Sequence, residues 1–133
     1  SFPDLEVLAK LSEEEISVCR AGFRCRYIYE TARTLYELLK QNKDHVFSRE
    51  ELLKFKGVGP KVADCILLFS GIRFDVFPVD VWVKRVMEEL YFGREASFRE
   101  IEDFSRNYFG PLAGYAQQYL FYYARENKIG VKK

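Results

Sequence analysis

A chain of 133 residues has room for one buried core, and 48% apolar with 17% aromatic content excludes a disordered or low-complexity tract. With 21 basic against 20 acidic residues the formal charge is +1, which excludes nucleic-acid binding through overall basicity and leaves such a role to local arrangement. No apolar run approaches a membrane helix, no signal segment opens the chain, and Cys19, Cys25 and Cys65 lack the clustering of a zinc or iron–sulfur site. These features predict a soluble intracellular domain with reduced thiols and no metal cluster.

In chain order the pattern is helical. Ser12 with Glu15, Ser48 with Glu51 and Ser97 with Glu100 each have capping-box spacing and predict three helix starts. Residues 1 to 17 are acidic, whereas residues 20 to 33 set Arg20, Arg24, Arg26 and Arg33 against Glu30, a local 4 − 1 = +3. In GFRCRY cations and aromatics meet at a helix entry, which favours DNA contact for Arg24 and Arg26 over a merely solvated face. Tyr27, Ile28, Thr31, Ala32, Leu35, Leu38 and Leu39 recur at helical spacing, predicting a helix from about Arg26 to Gln41 with this stripe in the core. His45, the sole histidine, reads as an exposed loop side chain.

Further on, Val62, Ile66 and Phe69 predict the inward face of a helix opened by Pro60. Residues 73 to 79 resemble a strand, but Pro78 favours an extended connector. Asp80 precedes the apolar run Val81, Trp82, Val83, Val86 and Met87, and Gly110-Pro111 opens a last helix over Leu112 to Arg125.

The chemistry concentrates at residues 57 to 61. Gly57 and Gly59 bracket Val58 in a turn expected to need positive φ, and Pro60 then starts a helix, so free amides should point outward at the positive end of its dipole. Such a cluster binds an anion. Lys61 stands one residue inside that helix, where a lysine opposes the dipole. It is either a phosphate contact or a nucleophile. Asp80 is either a helix N-cap or the carboxylate that works with the lysine. Burial and the helix start would favour a neutral amine, and a nearby carboxylate a charged one.

GVGPKVADC, FPVDV and FGPLAGYAQQYLF, in this order, resemble the helix-hairpin-helix DNA glycosylases, specifically the 8-oxoguanine glycosylase/AP lyase branch. The resemblance begins at FPDLEVLAKL, residues 2 to 11, and covers nearly the full chain. It implies a mainly α helix-hairpin-helix domain over residues 1–133, with the hairpin at about 49–70, as a fragment of a longer glycosylase lacking the family's N-terminal α+β region. Two departures are visible. Lys56 stands where the family hairpin often has proline, and Trp82 where some members have histidine.

By that resemblance Lys61 is the nucleophile, forming a Schiff base that permits β-elimination, and Asp80 its partner carboxylate. Cys65 and Phe121 would sandwich the flipped base while Gln117 reads its edge. Gly57, Gly59 and Val62 would contact DNA phosphate, and Phe23 and Arg24 would serve as wedge and orphan-base contact. The carbonyls of Leu53, Phe55 and Val58 would hold a monovalent cation, Na+ or K+, with no cofactor otherwise required. The implied partner is duplex DNA containing oxidised guanine, bound by a monomer in the cytoplasm and nucleoid of a prokaryote or the nucleus of a eukaryote. Other readings are a sister glycosylase for another damaged or mismatched base, a non-catalytic DNA-binding module and a protein-interaction helical domain.

Overall fold

The computed structural model describes residues 1–131, and those residues are helical with no β-strand among them. They gather into two compact units, one ending at Gly59 and the other beginning at Pro60.

The first unit holds α1 (Leu5–Lys10), α2 (Glu13–Ser17), α3 (Arg24–Gln41) and α4 (Arg49–Leu52). Both α1 and α2 pack on α3. The α3 stripe is less buried than its periodicity predicts: Cys25 and Ala32 are buried, Leu38 is exposed, and Tyr27, Ile28, Thr31, Leu35 and Leu39 lie between. Length explains this, because α3 has 18 residues, a span of roughly 27 Å, and its covering helices have only 6 and 5.

All three capping boxes form. Ser12, Ser48 and Ser97 each accept the N–H of the glutamate three residues on and donate their own N–H to its carboxylate. In the second of these Glu51 has a further partner: His45 Nε2 lies 3.1 Å from its Oε1, and the His45 ring meets Phe47 edge-on at 4.6 Å. His45 is therefore half-buried and engaged, not a free loop side chain.

The second unit holds α5 (Pro60–Phe69), α6 (Val81–Met87), which runs into a π-helical turn (Glu88–Phe92), α7 (Phe98–Phe109), a 3-10 turn (Gly110–Leu112) and α8 (Ala113–Glu126). Its core unites Phe77, Val79, Val83, Met87, Ala96, Ile101 and Ala113, with Phe77 stacked on Phe109 at 5.7 Å. Residues 73 to 80 form the extended connector expected from Pro78, and Val76, Phe77, Pro78 and Val79 are buried. Close approach by α8 fixes that connector. Gly114 donates its N–H to the Phe74 carbonyl at 2.8 Å, and a Cβ on Gly114 would lie 3.1 Å from the Val76 carbonyl and 2.4 Å from Leu68.

The inward face of α5 differs from the expected one. Val62, Ile66 and Phe69 are exposed at 41%, 39% and 66%, while Ala63, Asp64, Leu67 and Leu68 are buried. A carboxylate at residue 64 disguises the buried apolar stripe, which therefore lies on the other side of the helix from Val62, Ile66 and Phe69.

Candidate functional site

Asp80 is aimed by its surroundings. The buried Pro78 and Val79 lead into it, and its Oδ1 accepts the Val83 N–H at 2.8 Å, capping α6. The N-cap reading is thus met, with the carboxylate half-buried at a helix start. Gln117, only 4% exposed, donates Nε2 to the Pro78 carbonyl at 2.9 Å and so ties α8 to the connector just ahead of Asp80.

Lys61 is the second residue of α5 and is exposed, so the burial weighed for it is not found. One helical turn on, Cys65 is half-buried. Burial pushes its thiol above the ordinary cysteine range; Lys61 pulls it back, and Asp64 and Asp80 push it further. An amine, two carboxylates and a thiol therefore share one electrostatic neighbourhood. Asp64, fully buried, was not among the residues singled out by sequence, although its position three after Lys61 on an otherwise apolar helix was a signal.

The proposed base-pocket residues are unequally open. Cys65 and Phe121 are partly exposed, and Phe121 packs against the main core with the Arg125 guanidinium 5.7 Å from its ring. Gln117 is engaged on both ends, its Oε1 accepting Gln118 Nε2 at 2.5 Å. Its amide keeps a second N–H beyond the bond to Pro78.

In the first unit, Phe23 is 78% exposed at the entry to α3, meeting Tyr27 edge-on at 5.9 Å. The turn that presents it holds Arg20 and Gly22 at φ 55° and 59°. Arg24 is exposed and its Nε donates to the Ala21 carbonyl at 3.4 Å. Arg26, expected with Arg24 to contact DNA, is exposed and pairs with Glu30 at 3.0 Å. Lys56, the departure from proline, reaches the same carboxylate at 3.1 Å. Together Arg26 and Lys56 hold Glu30 below the usual carboxylate range.

The glycine turn is only half as constrained as expected. Gly57 has φ 82°, and a Cβ there would lie 2.6 Å from the Tyr27 ring. Gly59 does not have positive φ, and nothing lies within 4 Å of where its Cβ would be. The bare side of Gly59 thus faces open space. Among the described residues no backbone carbonyl accepts the Gly57 or Gly59 N–H, whereas Val58 N–H donates to Phe55 at 3.1 Å. Carbonyl oxygens at Leu53, Phe55 and Val58 are the donor type a hard cation takes, and Phe55 retains a second lone pair. Val62, in the second unit, is exposed.

The described residues are helical, and in the second unit Lys61 and Asp80 both act on Cys65 through their charge. The profile of the HhH-GPD superfamily base excision DNA repair proteins matches residues 1–111, and the chain belongs to that superfamily. It is 42% identical over 122 residues to a probable N-glycosylase/DNA lyase of Methanothermobacter thermautotrophicus, covering 89% of this chain and 39% of that protein. It is 32% identical over 137 residues to the N-glycosylase/DNA lyase OGG1 of Arabidopsis thaliana, covering 90% and 37%. Among solved structures it resembles the Clostridium acetobutylicum 8-oxoguanine glycosylase/lyase in complex with double-stranded DNA containing cytosine opposite 8-oxoguanine. That match has TM-score 0.85 and 46% identity over 97% of this chain and 46% of that one. The chain thus spans less than half the length of these relatives.

Proposed function

We propose that this chain is the catalytic helical part of a base-excision-repair glycosylase that removes 8-oxoguanine from duplex DNA and then nicks the strand. What supports the reading is that Lys61 and Asp80 both act on Cys65 through their charge, in a chain of the HhH-GPD superfamily whose relatives are named glycosylase/lyases.

In this reading the target base leaves the stack, at an unstacking cost of roughly a few kcal/mol. Lys61 Nζ gives its lone pair to C1′ as the bond from C1′ to the base breaks, and the departing base takes that bonding pair and a proton. Loss of the remaining nitrogen proton and opening of the sugar at O4′, which is protonated, leave an imine. Removal of a 2′ proton then expels the 3′ phosphate. Asp80 stabilises positive charge developing at the sugar and accepts a proton from the amine. Phe121 and Cys65 hold the base between them, and Gln117 uses its remaining N–H at the base edge.

Residues 1–133 act as one domain of that family, with a hairpin over about 49–70. The amides of Gly57 and Gly59, with Val62, take DNA phosphate. Phe23 holds the stack open and Arg24 pairs with the orphaned base. The carbonyls of Leu53, Phe55 and Val58 would hold Na+ or K+, which would supply positive charge toward phosphate and no redox or acid–base chemistry. The protein acts as a monomer inside the cell, where duplex DNA is its partner.

The test is strand incision on duplexes bearing 8-oxoguanine opposite cytosine, beside duplexes bearing alkylated or mismatched bases. Incision confined to 8-oxoguanine supports the proposal; preference for another lesion overturns the substrate, and binding without any incision makes the site a clamp.

A further inference from the structure

We propose that Gln118, acting through Gln117, is a positioning residue that sets the amide meeting the flipped base, a role that rests on the glycosylase reading and adds a residue to it. Gln117 Nε2 donates to the Pro78 carbonyl at 2.9 Å and Gln118 Nε2 donates to Gln117 Oε1 at 2.5 Å, so both amides belong to one chain of bonds within the second unit. Chemistry fixes the direction of that chain. A proline carbonyl can only accept, so the Gln117 atom against it is the nitrogen; the other end is then the oxygen, and the Gln118 atom that meets it is a nitrogen.

The second bond does what the first cannot. The last torsion of a glutamine is broad, so a single bond to Pro78 lets the amide plane swing about that contact. A donor held on Oε1 removes the freedom. Accepting a bond at the oxygen also polarises the amide and makes its N–H groups better donors. With both anchors made, Gln117 keeps one N–H and one lone pair. The Watson–Crick edge of guanine, unchanged by oxidation at C8, offers O6 as an acceptor and N1–H as a donor, one for each.

The contact is not a product of helix spacing. Adjacent side chains on a helix diverge by roughly 100° and do not ordinarily face each other, yet this pair meets. Gln118 is half-buried and lines a recess with Tyr115, Tyr119 and Tyr122, so water competes less for its N–H than on an open surface.

The test is single-turnover incision of two duplexes, one carrying 8-oxoguanine opposite cytosine and one carrying an abasic site, which offers Lys61 a sugar and Gln117 no base. The readout is the ratio of the first rate to the second, for the unsubstituted protein, Gln118→Leu and Gln118→Glu. Loss of one hydrogen bond should lower the ratio about two- to tenfold in Gln118→Leu. Gln118→Glu, whose carboxylate sets an acceptor against Gln117 Oε1, should lower it at least as far. A ratio that stays unchanged in either variant, including one in which both rates fall together, would overturn the proposal and leave the glycosylase reading standing. An unsubstituted protein that cuts the abasic duplex alone, or neither duplex, would end the glycosylase reading and this role with it.

Discussion

Gln117 donates its side-chain amide to the carbonyl of Pro78 across 2.9 Å, and this bond joins α8 to the connector two residues before Asp80. The carboxylate is thus positioned by a residue 37 places further along the chain (117 − 80 = 37). Replacing Gln117 by Ala leaves a buried carbonyl without its donor, for which a loss of about 1–3 kcal/mol is expected. Urea unfolding of Gln117→Ala measures it, and an unchanged midpoint would show that the bond does not fix the connector.

The two hairpin glycines should separate stability from binding. Gly57→Ala forces a side chain into the left-handed region and onto Tyr27, and is expected to destabilise the fold by at least about 1–2 kcal/mol. Gly59→Ala meets no such obstacle, so its stability should change by less than about 0.5 kcal/mol while duplex affinity falls. Unfolding and DNA titration on both variants check the contrast.

Cys65 reports on its charged neighbours. Alkylation of this thiol by iodoacetamide, followed by peptide mapping so that exposed Cys19 does not confuse the reading, should accelerate only at alkaline pH, because burial raises the thiol. Lys61→Gln removes the group that pulls it down and should move the rate profile to higher pH; Asp80→Asn should move it to lower pH. If neither substitution moves the profile, the shared neighbourhood is wrong.

Acid should weaken the second unit through Glu88. Its carboxyl is held below the ordinary value of 4.5, first by the Lys84 ammonium and then by the Ala96 N–H, which donates at 2.9 Å. Stabilisation from these bonds is complete above that value and is lost as pH falls through the lower folded-state value. Glu88→Gln should therefore cost roughly 0.5–1 kcal/mol near neutral pH and progressively less in acid. Urea midpoints across that range test the direction.

What the sequence made legible was local. The serine–glutamate pairs announced helix starts because both partners of a capping box lie within one turn, and Pro78 marked the connector because it cannot donate to a sheet. Burial was harder to read. Asp64 on the inward side of α5 hid the apolar stripe, and the α3 stripe is only half covered because its neighbours are short. Partnerships between distant residues left no pattern at all: Lys56 with Glu30, the Glu88 carboxylate with Ala96, and Gln117 with Pro78 arise only once helices meet. The site residues were placed by resemblance, and the structure adds Asp64 and the engaged state of Gln117.

The central claim concerns a covalent bond at Lys61, so borohydride reduction during reaction with a duplex carrying 8-oxoguanine opposite cytosine tests it most directly. The account predicts a trapped protein–DNA adduct whose mass maps to the peptide containing Lys61 and which disappears in Lys61→Gln while duplex binding persists. An adduct that survives that substitution, or none from an unsubstituted chain that binds the duplex, would contradict it.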